Sequence, residues 1–203
     1  MRKPPMNTIL PAIFLCAGVV LTSSCAKTIQ IETRAPAASS KGIQKIAVFP
    51  LTNYSTTKDA GKIVGSMLAG DWKGRNPGQE VVDVETAARF LGEKHVRVPE
   101  TIDRVKAVEL GSILGVDAIL AGSVLEYGTV SRARRKVIVQ EPVIGIEVIL
   151  VRVKDGLVLW NGFHARTSDS LTVPSRDTPE SVAAQAVSEL VGNYLSRDTN
   201  AKD

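Results

Sequence analysis

The sequence predicts an α/β sandwich, in which helices cover a β-sheet and a C-terminal helix packs back onto that sheet. Two patterns support this fold class. In the first half, short apolar runs that suit strands alternate with stretches whose apolar residues recur at helical spacing. In the second half, two long strand-like runs meet at a turn, and a helical pattern follows them. Hydrophobic residues make up 44% of the 203-residue chain, which is enough for one domain with its own core.

The elements of the first half follow one another with short connections. Residues 43–51 form an apolar run that predicts a buried strand. The apolar spacing over residues 58–72 predicts an amphipathic helix with Thr57 as its N-cap and Gly74 as its stop. Four further elements are predicted in this half: a strand over 80–84, a helix over 85–91, a helix marked by Ile102, Val105, Val108 and Ile113 that ends at Gly115, and a buried strand over 117–124.

Two long strand-like runs dominate the second half. They cover residues 137–153 and 157–167 and meet at a Lys-Asp-Gly turn, because Asp-Gly readily accepts the positive φ of a hairpin. Pro142 and Gly145 are expected to bend or interrupt the first run, or to mark it as an edge strand. A C-terminal helix follows, with a cap at Asp177 or Thr178, Pro179 in its first position, and an apolar stripe at Val182, Ala183, Ala186, Val187, Leu190, Val191 and Tyr194.

The first residues have the layout of a bacterial lipoprotein signal. Arg2 and Lys3 precede an uncharged apolar run over residues 9–21, and three small residues then lead to Cys25. The run is shorter than the roughly 20 residues that a helix needs to cross a bilayer. The segment resembles a lipobox, with Thr22 in the position usually held by leucine. We predict cleavage before Cys25 and lipid attachment to its thiol; the alternative is an ordinary secretory signal that is cut near Ala26.

These patterns predict four segments. Residues 1–24 form the signal peptide, and residues 25–42 form the lipidated cysteine and a flexible tether of small and polar residues. Residues 43–197 form the α/β domain, and residues 198–203 a disordered tail. The domain has no disulfide, since Cys16 leaves with the signal and Cys25 carries the lipid. Ala26 follows the cysteine where an acidic residue would favour the inner membrane, so we predict a periplasm-facing protein anchored to the outer membrane.

Sequence patterns typical of catalytic and metal sites are missing. His95 and His164 are far apart in the sequence, and both are interpreted as solvent-facing. The chain contains neither a G-x-S-x-G elbow nor a glycine-rich phosphate loop. Four carboxylates are candidates for an acid and base pair: Asp83, Glu85, Glu126 and Glu147. Of these, Glu147 is the candidate for a partly buried carboxylate, although a position on an exposed strand face is the simpler interpretation. We predict no enzymatic activity, no cofactor and no metal.

A basic run is the one charge cluster that stands out. Arg132, Arg134, Arg135 and Lys136 fall within five residues, on a predicted loop between two strands. The run suits an anionic partner, such as lipid A phosphates or an acidic protein face; a solvated loop is the alternative. The net charge of the chain is only +4, and Arg2 and Lys3 supply two of these charges, so no nucleic-acid partner is expected.

Three segments resemble a known group of envelope proteins. They cover residues 45–53 (KIAVFPLTN), 114–124 (LGVDAILAGSV) and 151–160 (VRVKDGLVLW). Their order and spacing are similar to those of the superfamily that holds CsgG, LpoB and the N-terminal domain of TolB. The resemblance implies a three-layer α/β sandwich with a mixed sheet, a lipid anchor in the outer membrane, and no enzyme or cofactor.

The resemblance leads to two functional hypotheses. In the first, the protein is a non-enzymatic binding or assembly module for an envelope machine, such as an LpoB-like activator of a penicillin-binding protein. Its partner would be a peptidoglycan synthase or a secretion complex. In the second, it is a CsgG-like component of an outer-membrane secretion complex, in which several copies form a ring. A homo-oligomer is therefore left open.

Overall fold

The structure, a computed structural model, describes residues 30–34, 40–134, 137–167 and 177–200. Strands and helices alternate through the first half of this part of the chain, and three consecutive strands and a helix make up the second half. The elements are β1 (Gln30–Arg34), β2 (Lys45–Val48), β3 (Thr52–Asn53), α1 (Ala60–Arg75), β4 (Glu80–Val82), α2 (Val84–Glu93), α3 (Arg104–Leu114), β5 (Ala118–Arg134), β6 (Val137–Arg152), β7 (Val158–Thr167) and α4 (Pro179–Asn200).

All seven of these strands belong to one mixed sheet with the order β1-β7-β6-β5-β2-β4, and β3 pairs beside β2 on β5. Strands β5, β6, β7 and β1 pair antiparallel. Strands β2, β3 and β4 join the sheet through parallel pairs. The predicted α/β class and mixed sheet are confirmed.

Helices cover both faces of the sheet and bury a separate apolar cluster on each. On one face, α1 and α4 pack on Val48, Leu120 and Ile146. On the other, α2 and α3 pack on Phe49 and Ile119. These two helical layers and the sheet make the predicted three-layer sandwich, and α4 is the C-terminal helix expected on the sheet.

An aromatic cluster joins α1, α4 and β7 within the first of these faces. The ring centroids of Trp72 and Tyr194 lie 4.8 Å apart, and those of Trp160 and Tyr194 lie 5.2 Å apart. Both tryptophans are buried, and the indole N–H of Trp72 donates to the side-chain oxygen of Gln79 at 2.9 Å. The two tryptophans and Tyr194 are therefore part of the core.

Helix α1 begins later than the sequence predicts. Its N-cap is Asp59, which has a φ of 61° and makes no side-chain capping bond. Thr57, the predicted cap, instead donates its hydroxyl to the carbonyl of Tyr127 at 2.8 Å. The helix also passes Gly74 and ends at Arg75. A threonine before an apolar run therefore serves here as a link to β5, which sequence spacing alone does not reveal.

Helix α3 ends at Gly115 as predicted, since this residue has a φ of 64° and closes the helix in the left-handed conformation. Val105, which was expected on the apolar face, is 69% exposed. The buried face of α3 is formed instead by Ala107, Leu110 and Gly111. Gly111 allows this close contact, since a Cβ there would lie 2.3 Å from a methyl group of Val153.

The turn between β6 and β7 confirms the Asp-Gly prediction. Gly156 has a φ of 66°, and the carboxylate of Asp155 accepts from the guanidinium of Arg152 and from the backbone N–H of Leu157. The hydrogen bonds from Arg152 and from the backbone of Leu157 lower the pKa of Asp155 to about 2. Pro142 and Gly145 do not interrupt β6. Gly145 lies between β5 and β7, whereas Pro142 lies one residue beyond the last β6–β7 pair and, in the described ranges, is paired with β5 alone, as expected of a proline at an edge.

Both ends of the domain differ from the prediction. Strand β1 lies within the expected tether and pairs with β7 from Gln30 to Arg34. Its sequence alternates polar residues with the β-branched Ile31 and Thr33, which is a strand signal. The small residues around this short segment favour a flexible tether instead, so the strand was not predicted. Helix α4 continues to Asn200, so residues 198–200 of the expected tail are helical. The signal peptide, Cys25 and residues 201–203 lie outside the described residues. No helix in the described ranges is long and apolar enough to span a membrane.

Candidate interaction site

Strands β5 and β6 continue past the end of β7 as a two-stranded extension. The last β6–β7 pair is Val143 with Thr167, whereas β5 and β6 stay paired as far as Arg134 and Val137. We call residues 129–134 and 137–142 the distal hairpin. Ile138, next to its end, is 74% exposed, and the nearby Gln140 donates its amide to the hydroxyl of Ser131 at 2.8 Å. The hairpin therefore presents an exposed large apolar side chain beyond the helical layers.

The described part of the basic run lies on the distal hairpin. Arg132 pairs with Val139 and Arg134 with Val137, so both arginines belong to β5. Their prediction as part of a loop is wrong, because the facing run of Val and Ile in β6 supplies the β-branched residues that favour pairing. Arg135 and Lys136 lie outside the described residues.

A β-bulge shapes the root of the hairpin. The β5–β6 register shifts between Val124 and Glu126, opposite Gly145. As a result, Val124 and Tyr127 both join the core under α1 and α4, although strict alternation would put them on opposite faces. Leu125, the extra residue, is 39% exposed. The bulge thus turns an apolar side chain outward at the point where the extension begins.

A cleft of about 440 Å³ lies beside this root, and we call it the hairpin-root cleft. Tyr54, which is 64% exposed, and Leu125 supply its apolar surface. The side chain of Asn53 orders the loop that carries Tyr54, since it accepts from the N–H of Ser55 at 3.0 Å and donates to the carbonyl of Thr57 at 2.8 Å. An aromatic ring held on an ordered loop among hydroxyl groups is typical of protein contact surfaces.

Tyr127 lies beneath the cleft and is almost completely buried. Burial, together with the nearby carboxylate of Glu180 at the start of α4, raises the pKa of its phenol. The ring therefore stays neutral at physiological pH and serves as apolar support for the hairpin root.

His164 is buried between β7 and α4, and its interpretation as a solvent-facing residue is wrong. Strand alternation places it with Trp160 and Gly162 on the face that α4 covers. Its Nε2 lies 3.1 Å from Oε2 of Glu189, which also pairs with Arg166, but this contact is not aligned as a hydrogen bond. Burial lowers the pKa of His164, and the weaker effect of Glu189 opposes it. His95 is exposed, as expected.

The four candidate carboxylates do not form a site. Asp83 caps α2 by accepting from the N–H groups of Glu85 and Thr86, which lowers its pKa. Glu85 pairs with Lys62 at 3.1 Å, and Glu126 is exposed. Glu147 is half-buried, with the Asn161 amide 3.4 Å away. Within the described ranges, no group of three or more His, Cys, Asp or Glu residues is arranged to hold a metal ion.

A comparison with protein families identifies the class of protein as a lipoprotein. A family model for GNA1162-like lipoproteins matches residues 38–199, which is most of the chain. The chain belongs to this GNA1162-like family. The comparison supports the lipoprotein part of the predicted resemblance, but not the CsgG and TolB names. No curated protein sequence is detectably similar to the chain.

Solved structures reproduce the fold at low sequence identity. The PelC dodecamer from Paraburkholderia phytofirmans superposes with a TM-score of 0.56 and 22% identity over 81% of this chain and 95% of that one. Lipoprotein GNA1162 from Neisseria meningitidis gives 0.52 and 22% over 77% and 99%. The C-terminal domain of LpoB from Salmonella enterica gives a lower TM-score, 0.45, and 15% identity over 62% of this chain and 86% of that one.

Proposed function

We propose that this protein is an outer-membrane lipoprotein that faces the periplasm and acts as a non-enzymatic assembly module for an envelope machine. The observation that carries the proposal is the apolar surface at one end of the sheet, formed by the hairpin-root cleft and the distal hairpin. Tyr54, Leu125 and Ile138 are 64%, 39% and 74% exposed there. Tyr54 and Leu125 line the cleft together, and exposed apolar side chains that share a cleft favour a site of protein contact.

The three side chains belong to the same end of the molecule. Tyr54 follows β3, which runs parallel to β5, and its backbone N–H donates to the carbonyl of Val124 at 2.9 Å. Leu125 is the next residue of β5, and Ile138 lies further out on the facing strand. A partner that docks on this end contacts the cleft and the hairpin together. We propose a peptidoglycan synthase or a secretion complex as this partner.

A ring of identical copies is the second candidate. The observation that favours it is the similarity of this fold to that of PelC, whose solved structure is a dodecamer. In that arrangement the partner at the cleft is a second copy of the chain, and the ring would serve secretion. Light scattering during size-exclusion chromatography of the lipidated chain in detergent separates the two candidates. A monomer supports docking on a different protein, and a closed ring of many copies supports the second candidate.

The docking surface is tested by photocrosslinking in cells. A photoreactive amino acid at Tyr54 is expected to capture an envelope protein, and the same group at Val105 is the control. Val105 is equally accessible at 69% exposure but lies on α3, away from the cleft. Crosslinks that are equal at both positions, or absent at Tyr54, would contradict the proposed surface.

The lipid anchor is tested at Cys25. Incorporation of radiolabelled palmitate and recovery in outer-membrane fractions are expected for the natural chain. Cys25→Ala is expected to abolish both the label and the membrane recovery, because the thiol is the proposed attachment atom. Unchanged membrane recovery of Cys25→Ala would argue against this anchor.

A further inference from the structure

The register of the distal hairpin shows which backbone groups of β5 point away from β6. Thr129 pairs with Pro142, and a proline within a sheet lies where its missing N–H would not face the partner strand. Opposite residues of an antiparallel pair share this orientation, so the N–H and C=O groups of Thr129 also point outward. Alternation gives Ser131 and Ala133 the same direction. The carbonyl of Tyr127 agrees, since it accepts a hydrogen bond at 2.8 Å from the loop that follows β3.

This side of β5 has no neighbouring strand in the outer part of the hairpin, as far as the structure describes the chain. Strand β3 ends at Asn53, and a backbone bond from Tyr54 to Val124 continues its pairing by one residue. Over residues 129–133, the described strands pair with β5 only through β6. We call residues 129–133 the outer β5 edge. Such an edge is a row of N–H and C=O groups with which another strand can pair.

The two edges of the distal hairpin differ in how they are protected. On the β6 side, Pro142 lies beyond the last pair with β7, and a proline at an edge hinders the addition of a strand. The outer β5 edge keeps its outward donors at Thr129, Ser131 and Ala133. The side chains of these three residues are small and exposed, so they leave the backbone accessible. The outer β5 edge is therefore the better template for a strand.

The hairpin-root cleft reaches both faces of the sheet beside this edge. On one face it is lined by Tyr127, which belongs to the core under α4, and by Pro179, the first residue of α4. On the other face it is lined by Val130 and Val143, which are both half-buried. These two valines share a face because Val143 pairs with Gly128, two residues before Val130. Since successive side chains of a strand point to opposite faces, a strand added here enters both parts of the cleft.

We propose that the partner of this protein adds an extended strand to the outer β5 edge, with an aliphatic side chain that faces Val130 and Val143. This inference rests on the proposed function and states how the partner binds at that surface. Main-chain hydrogen bonds hold the added strand, and the cleft selects its side chains.

The added strand belongs to a different protein. In a two-fold pair of outer β5 edges centred on Ser131, Arg132 of each copy would lie at neighbouring positions on one face of the joined sheet. Like charges at neighbouring cross-strand positions are destabilising. The register of β5 thus disfavours self-pairing of this edge and favours a strand of other sequence.

The outward N–H group is tested with a matched pair of variants, Ser131→Pro and Ser131→Ala. Both lose the hydroxyl to which Gln140 donates, but only proline lacks the N–H that points to the partner. Each is combined with a photoreactive amino acid at Tyr54 in cells. We expect Ser131→Pro to lower the crosslinked product by about tenfold or more and Ser131→Ala to keep it within about twofold. Circular dichroism and thermal unfolding check that both variants fold.

Capture from both faces tests strand addition without proline. A photoreactive amino acid at Thr129 lies on the face that α4 covers, and the same group at Val130 lies on the opposite face. Both positions are expected to capture the same protein, which mass spectrometry identifies. Capture at only one position would overturn strand addition, because a strand at the edge contacts both faces. This measurement decides the matter if Ser131→Pro does not fold.

The outcomes distinguish this inference from the proposed function. If Tyr54 captures an envelope protein equally in the natural chain and in folded Ser131→Pro, strand addition is overturned and the docking surface stands. If the captured chain is a second copy of this protein, the assignment of the strand to a different protein is overturned. Absence of capture at Tyr54 in the natural chain overturns the docking surface itself, and the inference that rests on it.

Discussion

At Gly122 in β5, the backbone of β6 leaves no room for a side chain. A Cβ at this position would lie 2.0 Å from the carbonyl oxygen of Glu147, well inside contact distance. The glycine therefore sets how closely the two central strands approach each other. Gly74, near the end of α1, is a useful contrast, since a Cβ there would meet nothing within 4 Å.

These two glycines give opposite predictions for the same substitution. Gly122→Ala is expected to lower the free energy of unfolding by about 2 kcal/mol or more, because the strands must separate to admit the methyl group. Gly74→Ala is expected to raise it by about 0.5 to 1 kcal/mol, since alanine has the higher helix propensity. Urea unfolding at neutral pH measures both, and equal effects at the two sites would contradict the packing argument.

His164 predicts a pH dependence of stability. Its imidazole titrates near 6.5 in the unfolded chain, and burial lowers that pKa in the folded chain. Between these two pKa values the unfolded chain binds more protons, so the free energy of unfolding falls as the pH drops below about 6.5. The charged groups that face the ring are Glu189 and Arg166.

His164→Gln is expected to flatten this pH dependence, and His95→Gln is the control because His95 is exposed. Urea unfolding of the natural chain and of the two variants, at several pH values from about 7.5 to about 5, measures how the free energy of unfolding depends on pH in each. A slope that His164→Gln leaves unchanged would assign the effect to other groups.

At the scale of elements, the two first helices begin in different ways. The carboxylate of Asp83 caps α2 with bonds of 3.0 and 2.8 Å to the N–H groups of Glu85 and Thr86. Asp59 occupies the same position before α1, but its side chain caps nothing and its φ is 61°. Helix α1 is therefore positioned by its contacts with the sheet, whereas α2 also has a local start signal.

This difference is tested by substituting both caps. Asp83→Ala is expected to cost about 1 kcal/mol of stability, since it removes the acceptor for the orphan N–H groups. Asp59→Asn is expected to change stability by less than about 0.5 kcal/mol, because asparagine also tolerates positive φ and no capping bond is lost. Thermal unfolding monitored by circular dichroism compares the two variants, and a larger loss at Asp59 would contradict the assignment.

Elements with strong local signals were the ones that the sequence predicted well. The Asp-Gly turn, the Gly115 stop and the Pro179 start each depend on the backbone chemistry of one or two residues. Long-range features were missed. The strand at Gln30–Arg34 depends on β7, which lies at the far end of the domain, and the burial of His164 depends on α4. Neither neighbour is visible in a local window.

The candidate site was only partly predictable for the same reason. The basic run is visible in the sequence, but the place of Arg132 and Arg134 on β5 follows from pairing with β6. The hairpin-root cleft was not predicted, since it combines Tyr54 with Leu125, which the β5–β6 bulge turns outward. A bulge depends on the register between two strands, so no single residue of either strand predicts it.

At the scale of the whole molecule, the pairing of β1 with β7 extends the folded domain toward the N-terminus as far as Gln30. The double variant Ile31→Pro and Glu32→Pro is expected to disrupt this pair, because one of two successive N–H groups in an antiparallel strand points to the partner strand and the double variant lacks both. Hydrogen exchange of the β7 amides that face β1, within residues 161–165, is expected to become about tenfold faster or more. Lys27→Pro, before the strand, is the control, and equal exchange in both variants would contradict the pairing.

The strand order also has a consequence for the sequence of folding events. Strands β5, β6 and β7 are neighbours along the chain, so their pairing closes short loops at small entropic cost. Pairing β1 with β7 closes a loop that contains almost every other element. Contacts between distant residues form slowly, so we expect the three-stranded antiparallel sheet to act as a template that β1 joins late. Strand β1, which the ribosome makes before the other described strands, is then among the last to pair.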